Sequence, residues 1–175
     1  MSKILLADKT LCDKLKAHKE GLRHFAFSVF LFNSDNELLL QKRAKSKYHS
    51  GGLWSNACCS HFADKNELKN CRRTVKKRLL DELGIVFNGE LKEIGIFEYN
   101  SDVGNDLIEN EIDYIFSGFI SDNECSNFRL NPDEVECVKF VDIGWLKDDI
   151  KIHPENYTKW LKLILDNKKF NLLLR

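Results

Sequence analysis

Phe25-Ala26-Phe27-Ser28-Val29-Phe30-Leu31-Phe32 is a nearly unbroken apolar run, rich in aromatic rings, and Asn33-Ser34-Asp35-Asn36 closes it. Its length suits a strand, and its lack of polar alternation implies burial on both faces. The four turn formers and the following Glu37-Leu38-Leu39-Leu40-Gln41 extend this into a hairpin. A basic, glycine-ended loop, 42–52, follows, and 53–59 reads as extended. Asp64-Lys65-Asn66-Glu67 has capping-box spacing, and Leu68, Cys71, Val75, Leu79 and Leu83 then recur at helical period up to Gly84, a suitable C′ residue. Strand signals resume at 91–99, 107–120 and 135–141, with a turn near 102–106. Pro154 suits the start of a last helix whose apolar face is Tyr157, Trp160, Leu161, Ile164 and Leu165. Strands, helix, strands, helix: the order predicts a mixed α/β layered domain spanning 1–175.

The chain has 175 residues, 43% of them hydrophobic, enough for one domain with a sizeable core. Lys and Arg total 27, as do Asp and Glu, so overall charge predicts no nucleic-acid partner and no membrane partner. No apolar run approaches the roughly 18 residues of a membrane span, and the apolar part of the N-terminus is too short for a signal peptide. The six cysteines are irregularly spaced and form no Cys-x-x-Cys pair. They read as reduced thiols of a cytoplasmic protein rather than a disulfide framework or zinc ribbon.

The chemistry concentrates in Trp54-Ser55-Asn56-Ala57-Cys58-Cys59-Ser60-His61 and in Glu109-Asn110-Glu111. On extended backbone, side chains two apart share a face. Cys59 and His61 therefore pair on one strand, and Glu109 and Glu111 on another. Residues 107–116 alternate, with Ile108, Ile112, Tyr114 and Phe116 opposite Glu109, Glu111 and Asp113. This fits either an antiparallel strand with one wet face or a carboxylate pair facing a site. In the second case a cation would relieve the repulsion. Of the five histidines, His153 falls near a helix start and His49 in a loop. His18, His24 and His61 are the better ligand candidates, because His24 opens the buried strand and His61 ends the cysteine strand. Three imidazoles with two carboxylates suit Mn²⁺ or Zn²⁺ and, less obviously, Mg²⁺. Asp81 and Glu82 stand at a helix C-terminus, where acidic groups are unfavourable unless a cation is near. Arg43, Lys45, Lys47, Lys14, Lys16 and Arg78 are surface charges one by one, or a diphosphate site if gathered around one cleft.

These segments resemble the type 1 isopentenyl-diphosphate isomerases, a family with a Nudix-like fold. The resemblance covers residues 11–160. Trp54 to His61 is similar to the family's Trp-(Thr/Ser)-Asn-x-x-Cys-(Gly/Ser)-His stretch, and Glu109-Asn110-Glu111 to its Glu-Asn-Glu strand. Arg43-Ala44-Lys45-Ser46-Lys47 and Glu82-Leu83-Gly84 match its basic loop and its helix end. The resemblance implies an α/β (α+β) fold of Nudix-like mixed β-sheets sandwiched between helices. It implies an isomerase that interconverts isopentenyl and dimethylallyl diphosphate through a tertiary carbocation, in isoprenoid biosynthesis. By the same resemblance Cys59 is the catalytic thiol and Glu111 the opposing carboxylate. Tyr99 supports that carboxylate, and Trp160 is an aromatic over the reacting carbons, its helix serving as a lid. His18, His24, His61, Glu109 and Glu111 would hold one divalent ion, Mn²⁺, Mg²⁺ or Zn²⁺. Glu82 would hold a second ion, Mg²⁺, against the diphosphate, and Lys14, Arg43, Lys47 and Arg78 would contact the diphosphate itself. A monomer or weak dimer is expected. The hydrolytic Nudix signature is degenerate here: Lys77-Arg78-Leu79-Leu80-Asp81-Glu82-Leu83-Gly84 has Arg78 in place of its first glutamate. A Nudix-type hydrolase and a metal-stabilised binding domain are the competing readings.

Overall fold

The structure is a computed structural model that describes residues 2–173; residues 1, 174 and 175 of the expected domain lie outside the described residues. Two short strands, β1 (Lys3–Leu5) and β2 (Leu11–Asp13), form a small sheet that leads into helix α1 (Lys14–Lys19). Seven strands make the main sheet: β3 (His24–Phe32), β4 (Leu38–Arg43), β5 (Trp54–Asn56), β6 (Cys58–His61), β7 (Lys92–Asp102), β8 (Ile108–Phe119) and β9 (Val135–Val141). The sheet path is β5-β4-β3-β8-β7, with β6 also paired to β3 and β9 to β4. The β3–β8 pair is parallel and the other pairs are antiparallel, so the sheet is mixed.

All nine residues of β3 are buried, as the apolar run predicts. The two faces serve different cores. Phe25, Phe27, Val29 and Leu31 pack with Val75, Leu79 and Leu83 of helix α3 (Cys71–Leu83). Phe30 and Phe32 pack with Trp160, Leu161, Ile164 and Leu165 of helix α6 (Lys159–Asp166). The sheet is thus held between helices. His24, Ala26 and Ser28 share the α6-side parity of Phe30, so polar groups occupy one end of an otherwise apolar face.

Several expectations are corrected. The β3–β4 hairpin pairs at one register position only, Phe32↔Leu38, because β4 turns away to pair with β5 and β9 while β6 takes the place beside β3. The helix expected up to Gly84 is two helices, α2 (Lys65–Lys69) and α3. It breaks at Asn70 (φ −108°, ψ 40°), where the Thr74 hydroxyl donates to the Glu67 carbonyl. Asp64 does cap α2 through the Asn66 and Glu67 amides, but Glu67 accepts from Ala63 rather than completing the box. The Glu109 face of β8 is the buried one, not a wet one: Glu109, Glu111 and Asp113 are buried on the α6 side, while Ile112 and Tyr114 lean on the α3 core only partly covered. Pro154 opens a 3-10 turn (Pro154–Asn156), not a helix. Tyr157 stays extended and bridges to Trp54 before α6 begins. Helix α6 forms a wall of the second core. Helices α4 (Asp122–Cys125), α5 (Ile143–Ile152) and α7 (Lys168–Leu173) complete the chain. Among the described residues, no helix is long and apolar enough to cross a membrane.

Gly84 ends α3 at φ +69°, its amide donating to the Leu80 carbonyl, as its C′ position predicts. A Cβ there would lie 2.4 Å from the Arg129 carbonyl oxygen. Gly84→Ala is therefore expected to cost about 2–4 kcal/mol, from left-handed backbone plus a backbone clash. Equilibrium urea unfolding checks this; an unchanged midpoint would refute the close approach.

Candidate active site and metal centre

The register of β3 builds the site. Parallel pairing sets His24 opposite Glu111, and antiparallel pairing sets Ala26 opposite His61 and Ser28 opposite Cys59. The thiol, the imidazoles and the carboxylates thereby reach one side of the sheet, where Cys59 and Tyr99 join the α6-side core. A cavity of about 410 Å³ opens there. Its lining includes Lys14, Arg43, Lys47, Tyr48, His49, Cys59, His61, Arg78, Glu109, Glu111, Glu134 and Trp160. A larger concavity of about 710 Å³ around Phe32, Ile94 and Phe119 contains no thiol or imidazole and is not the chemical site.

Glu109 is the hub. One of its oxygens, Oε2, lies 3.1 Å from His18 Nε2, 3.3 Å from His24 Nε2 and 3.6 Å from His61 Nε2. Glu111 Oε1 is 3.0 Å from His61 Nε2 and 3.7 Å from His24 Nε2. The far ring nitrogens of His18 and His24 face backbone carbonyls: Nδ1 of His18 is 2.6 Å from the Lys14 oxygen, and Nδ1 of His24 is 2.7 Å from the Leu22 oxygen. A proton on each Nδ1 satisfies those carbonyls and leaves Nε2 as a lone pair aimed at the carboxylates. His24 Nε2 and Glu109 Oε2 are both buried without a hydrogen-bond partner. Converging lone pairs require positive charge among them. A proton is one answer: burial alone lowers His24, but the nearby Glu109 and Glu111 carboxylates outweigh it and carry the imidazole up to about 10. A divalent cation is the other. Donor atoms of His18, His24, His61 and Glu109 all lie within 4.8 Å of one another, so the cluster is compatible with one divalent ion.

Cys59 is half-buried at the cavity wall, and the desolvation there pushes its thiol up to about 12 despite Arg43, whose Nη1 stands 3.8 Å from the sulfur. The thiol therefore keeps its proton at neutral pH. Glu111 is held at both oxygens, Oε1 by His61 and Oε2 by Tyr99, whose hydroxyl donates at 2.6 Å. Burial and the Glu111 charge hold the Tyr99 phenol well above its usual range, so it remains a donor. Trp160 is fixed through its indole N–H, which donates to Ser55 Oγ at 3.0 Å and Asn56 Oδ1 at 3.1 Å. The Arg43 guanidinium lies 5.2 Å from the Trp160 ring centre. Glu82 is buried and accepts from Arg78 (2.5 Å) at one oxygen and from Gln41 (3.0 Å) at the other, so the helix-end penalty is offset by cations and amides of the protein itself.

Two residues that sequence reasoning left aside belong here. His49 is buried, its Nε2 2.9 Å from Glu109 Oε1, and burial lowers its pKa. Tyr48 reaches His18 Nε2 at 3.3 Å and lies under the Lys14 ammonium, 4.4 Å from the ring centre. The signal was Gly51-Gly52: a Cβ at Gly51 would meet the Lys45 carbonyl at 2.6 Å, so only a folded-back loop explains the pair. His153, by contrast, caps the end of α5 and is exposed, away from the cluster.

This fold and this cavity define a Nudix-type domain, and a family description of NUDIX domain matches residues 22–161. The solved fold of a Deinococcus radiodurans protein superposes with a TM-score of 0.72 over 94% of this chain and 97% of that one, at 13% identity, a likeness of fold alone. Curated proteins named isopentenyl-diphosphate Delta-isomerase are similar at 44% identity in Aromatoleum aromaticum (87% of this chain, 81% of that protein). Others are similar at 40% in Rhodobacter capsulatus (90% and 85%) and at 37% in Serratia proteamaculans (93% and 86%). The chain belongs to the isopentenyl-diphosphate Delta-isomerase family on the Nudix fold.

Two outcomes follow from the cluster and the thiol. Saturating Mn²⁺ or Zn²⁺ is expected to raise the melting temperature, with about 2.7 kcal/mol gained at a hundredfold excess over Kd. His24→Ala should remove that rise; a rise that persists would refute the ligand set. Because the folded Cys59 value lies above the ordinary 9.0, the proton stays on through pH 9 and leaves only as pH approaches about 12. Iodoacetamide labelling of Cys59, followed by mass spectrometry, should therefore keep climbing above about pH 10.5, where an ordinary thiol has levelled off. A plateau reached by about pH 10.5 would contradict the burial argument.

Proposed function

We propose that this chain interconverts isopentenyl and dimethylallyl diphosphate with Cys59 and Glu111 as the two proton-handling groups. The carrying observation is that a protonated thiol and a doubly held carboxylate line one cavity together with four cations, Lys14, Arg43, Lys47 and Arg78. An unactivated alkene is a very weak base, so protonating it demands close positioning in a dry pocket. One of the pair gives a proton to the terminal methylene carbon. The electron pair of the double bond forms that C–H bond, and a tertiary cation is left at the adjacent carbon. The other group, on the opposite face, takes a proton from the neighbouring methylene, and those C–H electrons become the new double bond. No net proton is gained, and the reverse reaction uses the same groups with roles exchanged.

When Cys59 is the donor it is left as a thiolate, and its raised pKa makes that thiolate the strong base that the reverse reaction requires. Tyr99 and His61 fix the orientation of Glu111, which matters before acidity does. Trp160, locked by Ser55 and Asn56, offers a π-face to the cation, worth about 1–2 kcal/mol or more when desolvated. Lys14, Arg43, Lys47 and Arg78 would hold the diphosphate, whose binding energy positions the alkene. His18, His24, His61, Glu109 and Glu111 would hold one divalent ion, Mn²⁺, Zn²⁺ or Mg²⁺, and Glu82 a Mg²⁺ accompanying the diphosphate. When bound, the first ion sharpens the acidity of the Glu111 carboxyl. The degenerate hydrolase signature at Arg78 and the cavity thiol both favour isomerisation over diphosphate hydrolysis.

Isopentenyl diphosphate incubated with the protein and Mg²⁺ should yield the acid-labile allylic isomer and no released phosphate. Cys59→Ala and Glu111→Gln are each expected to lower kcat by at least about 10³-fold. Near-parental turnover in either variant would remove that residue from the chemistry.

A further inference from the structure

We infer that Glu134 is a built-in counter-anion at the diphosphate site, and that it makes the site select a magnesium-bound diphosphate over the free anion. The inference rests on the reading that Lys14, Arg43, Lys47 and Arg78 receive the diphosphate. Glu134 plays no part in the proton transfers described above, yet it lines the same cavity. Its carboxylate ion-pairs with Lys47 through one oxygen and lies 3.6 Å from the Arg78 guanidinium through the other. The three side chains are only 24%, 17% and 28% exposed, in that order, so solvent screens the contacts less than at an open surface.

The residue that carries this charge is fixed at its backbone. The Glu134 amide donates to the Asn131 carbonyl, and the Glu134 carbonyl accepts from the Ala44 amide. The Lys47 amide in turn donates to the Ala44 carbonyl, so the acid and the loop that carries its lysine are tied to one point. Lys47, Arg78 and Lys14 hold the Glu134 carboxyl below its usual range against burial, and it is anionic at neutral pH. Arg78 is shared further: Glu82 takes one of its terminal nitrogens, yet its buried Nε has no partner. The cationic wall therefore holds a protein carboxylate where a ligand's oxygens would go, and it retains one unspent donor.

The consequence is electrostatic. A diphosphate that engages Lys47 and Arg78 must displace this carboxylate. With its backbone anchored at Asn131 and Ala44, Glu134 keeps its carboxylate within side-chain reach of the phosphate oxygens, and like charges at short range in a part-buried site repel strongly. A divalent cation travelling with the diphosphate removes most of that repulsion and adds attraction to Glu134 and to Glu82. Free diphosphate pays the full repulsion. The effect is a coupling between cation and anion binding, and it is reciprocal.

Isothermal titration with inorganic diphosphate, in EDTA and in saturating Mg²⁺, reads the coupling without any isomerase turnover. Glu134→Gln is expected to tighten binding of free diphosphate about tenfold and to change the magnesium-bound affinity by less than about threefold, so the ratio of the two falls about tenfold. Glu134→Asp, which keeps the charge, should keep the parental ratio. Glu134→Ala gives the same reading should the glutamine variant not fold by circular dichroism. A ratio unchanged in Glu134→Gln and Glu134→Ala, or equal weakening in both buffers, would overturn the inference while leaving the diphosphate site intact. A parent protein that binds diphosphate in neither buffer would overturn the diphosphate reading and this inference with it.

Discussion

The register of β3 between β8 and β6 is the constraint on which the site depends. One strand sets His24 beside Glu111 on one side and Ser28 beside Cys59 on the other. Because side chains alternate across a strand, a slip of one residue would turn every one of these groups to the opposite face of the sheet. The aromatic residues of the same strand prevent the slip. Phe25, Phe27, Val29 and Leu31 are committed to the α3-side core, and Phe30 and Phe32 to the α6-side core, so neither face tolerates an exchange. Packing enforces the geometry of the chemistry.

Burial then does the electrical work. Glu109 is enclosed by four imidazoles, and their close approach holds its carboxyl well below the usual carboxylate range in spite of desolvation. A few residues along the same strand, Asp113 has Ser28 as its side-chain donor among the described residues, at 2.8 Å, and burial drives its pKa well up. Two carboxylates on one face are thus pushed in opposite directions by what surrounds them. The outer wall is built on the other sign. Lys14, Arg43, Lys47 and Arg78 form a cationic rim above the neutral thiol and the held carboxylate. A molecule with an anionic head and a small apolar tail matches that order of layers.

Much of this was legible in the residues themselves. The aromatic run, the period-two spacing of Cys59 with His61 and of Glu109 with Glu111, and Gly84 after Leu83 are local signals, and local geometry honours them. The less legible parts depend on distant neighbours. The paired-acid face of β8 reads in sequence either as wet or as facing a site, and it faces inward because imidazoles from α1, β3 and β6 arrive to satisfy it. Asn70 splits a helix whose apolar period runs straight through it, because the backbone leaves helical dihedrals at that one residue, which apolar periodicity does not register.

The sequence alone determined which side chains share a face, since alternation on extended backbone is intrinsic to the chain. It also determined the thiol, imidazole and carboxylate inventory that places the chain in its family. Tertiary structure alone decided that His49 and Tyr48, from a loop without periodicity, close over Glu109 and His18, and that Glu134 stands among the cations of two other segments. Those contacts join residues tens of positions apart. Their existence depends on how the sheet and loops pack, and no local spacing carries that information.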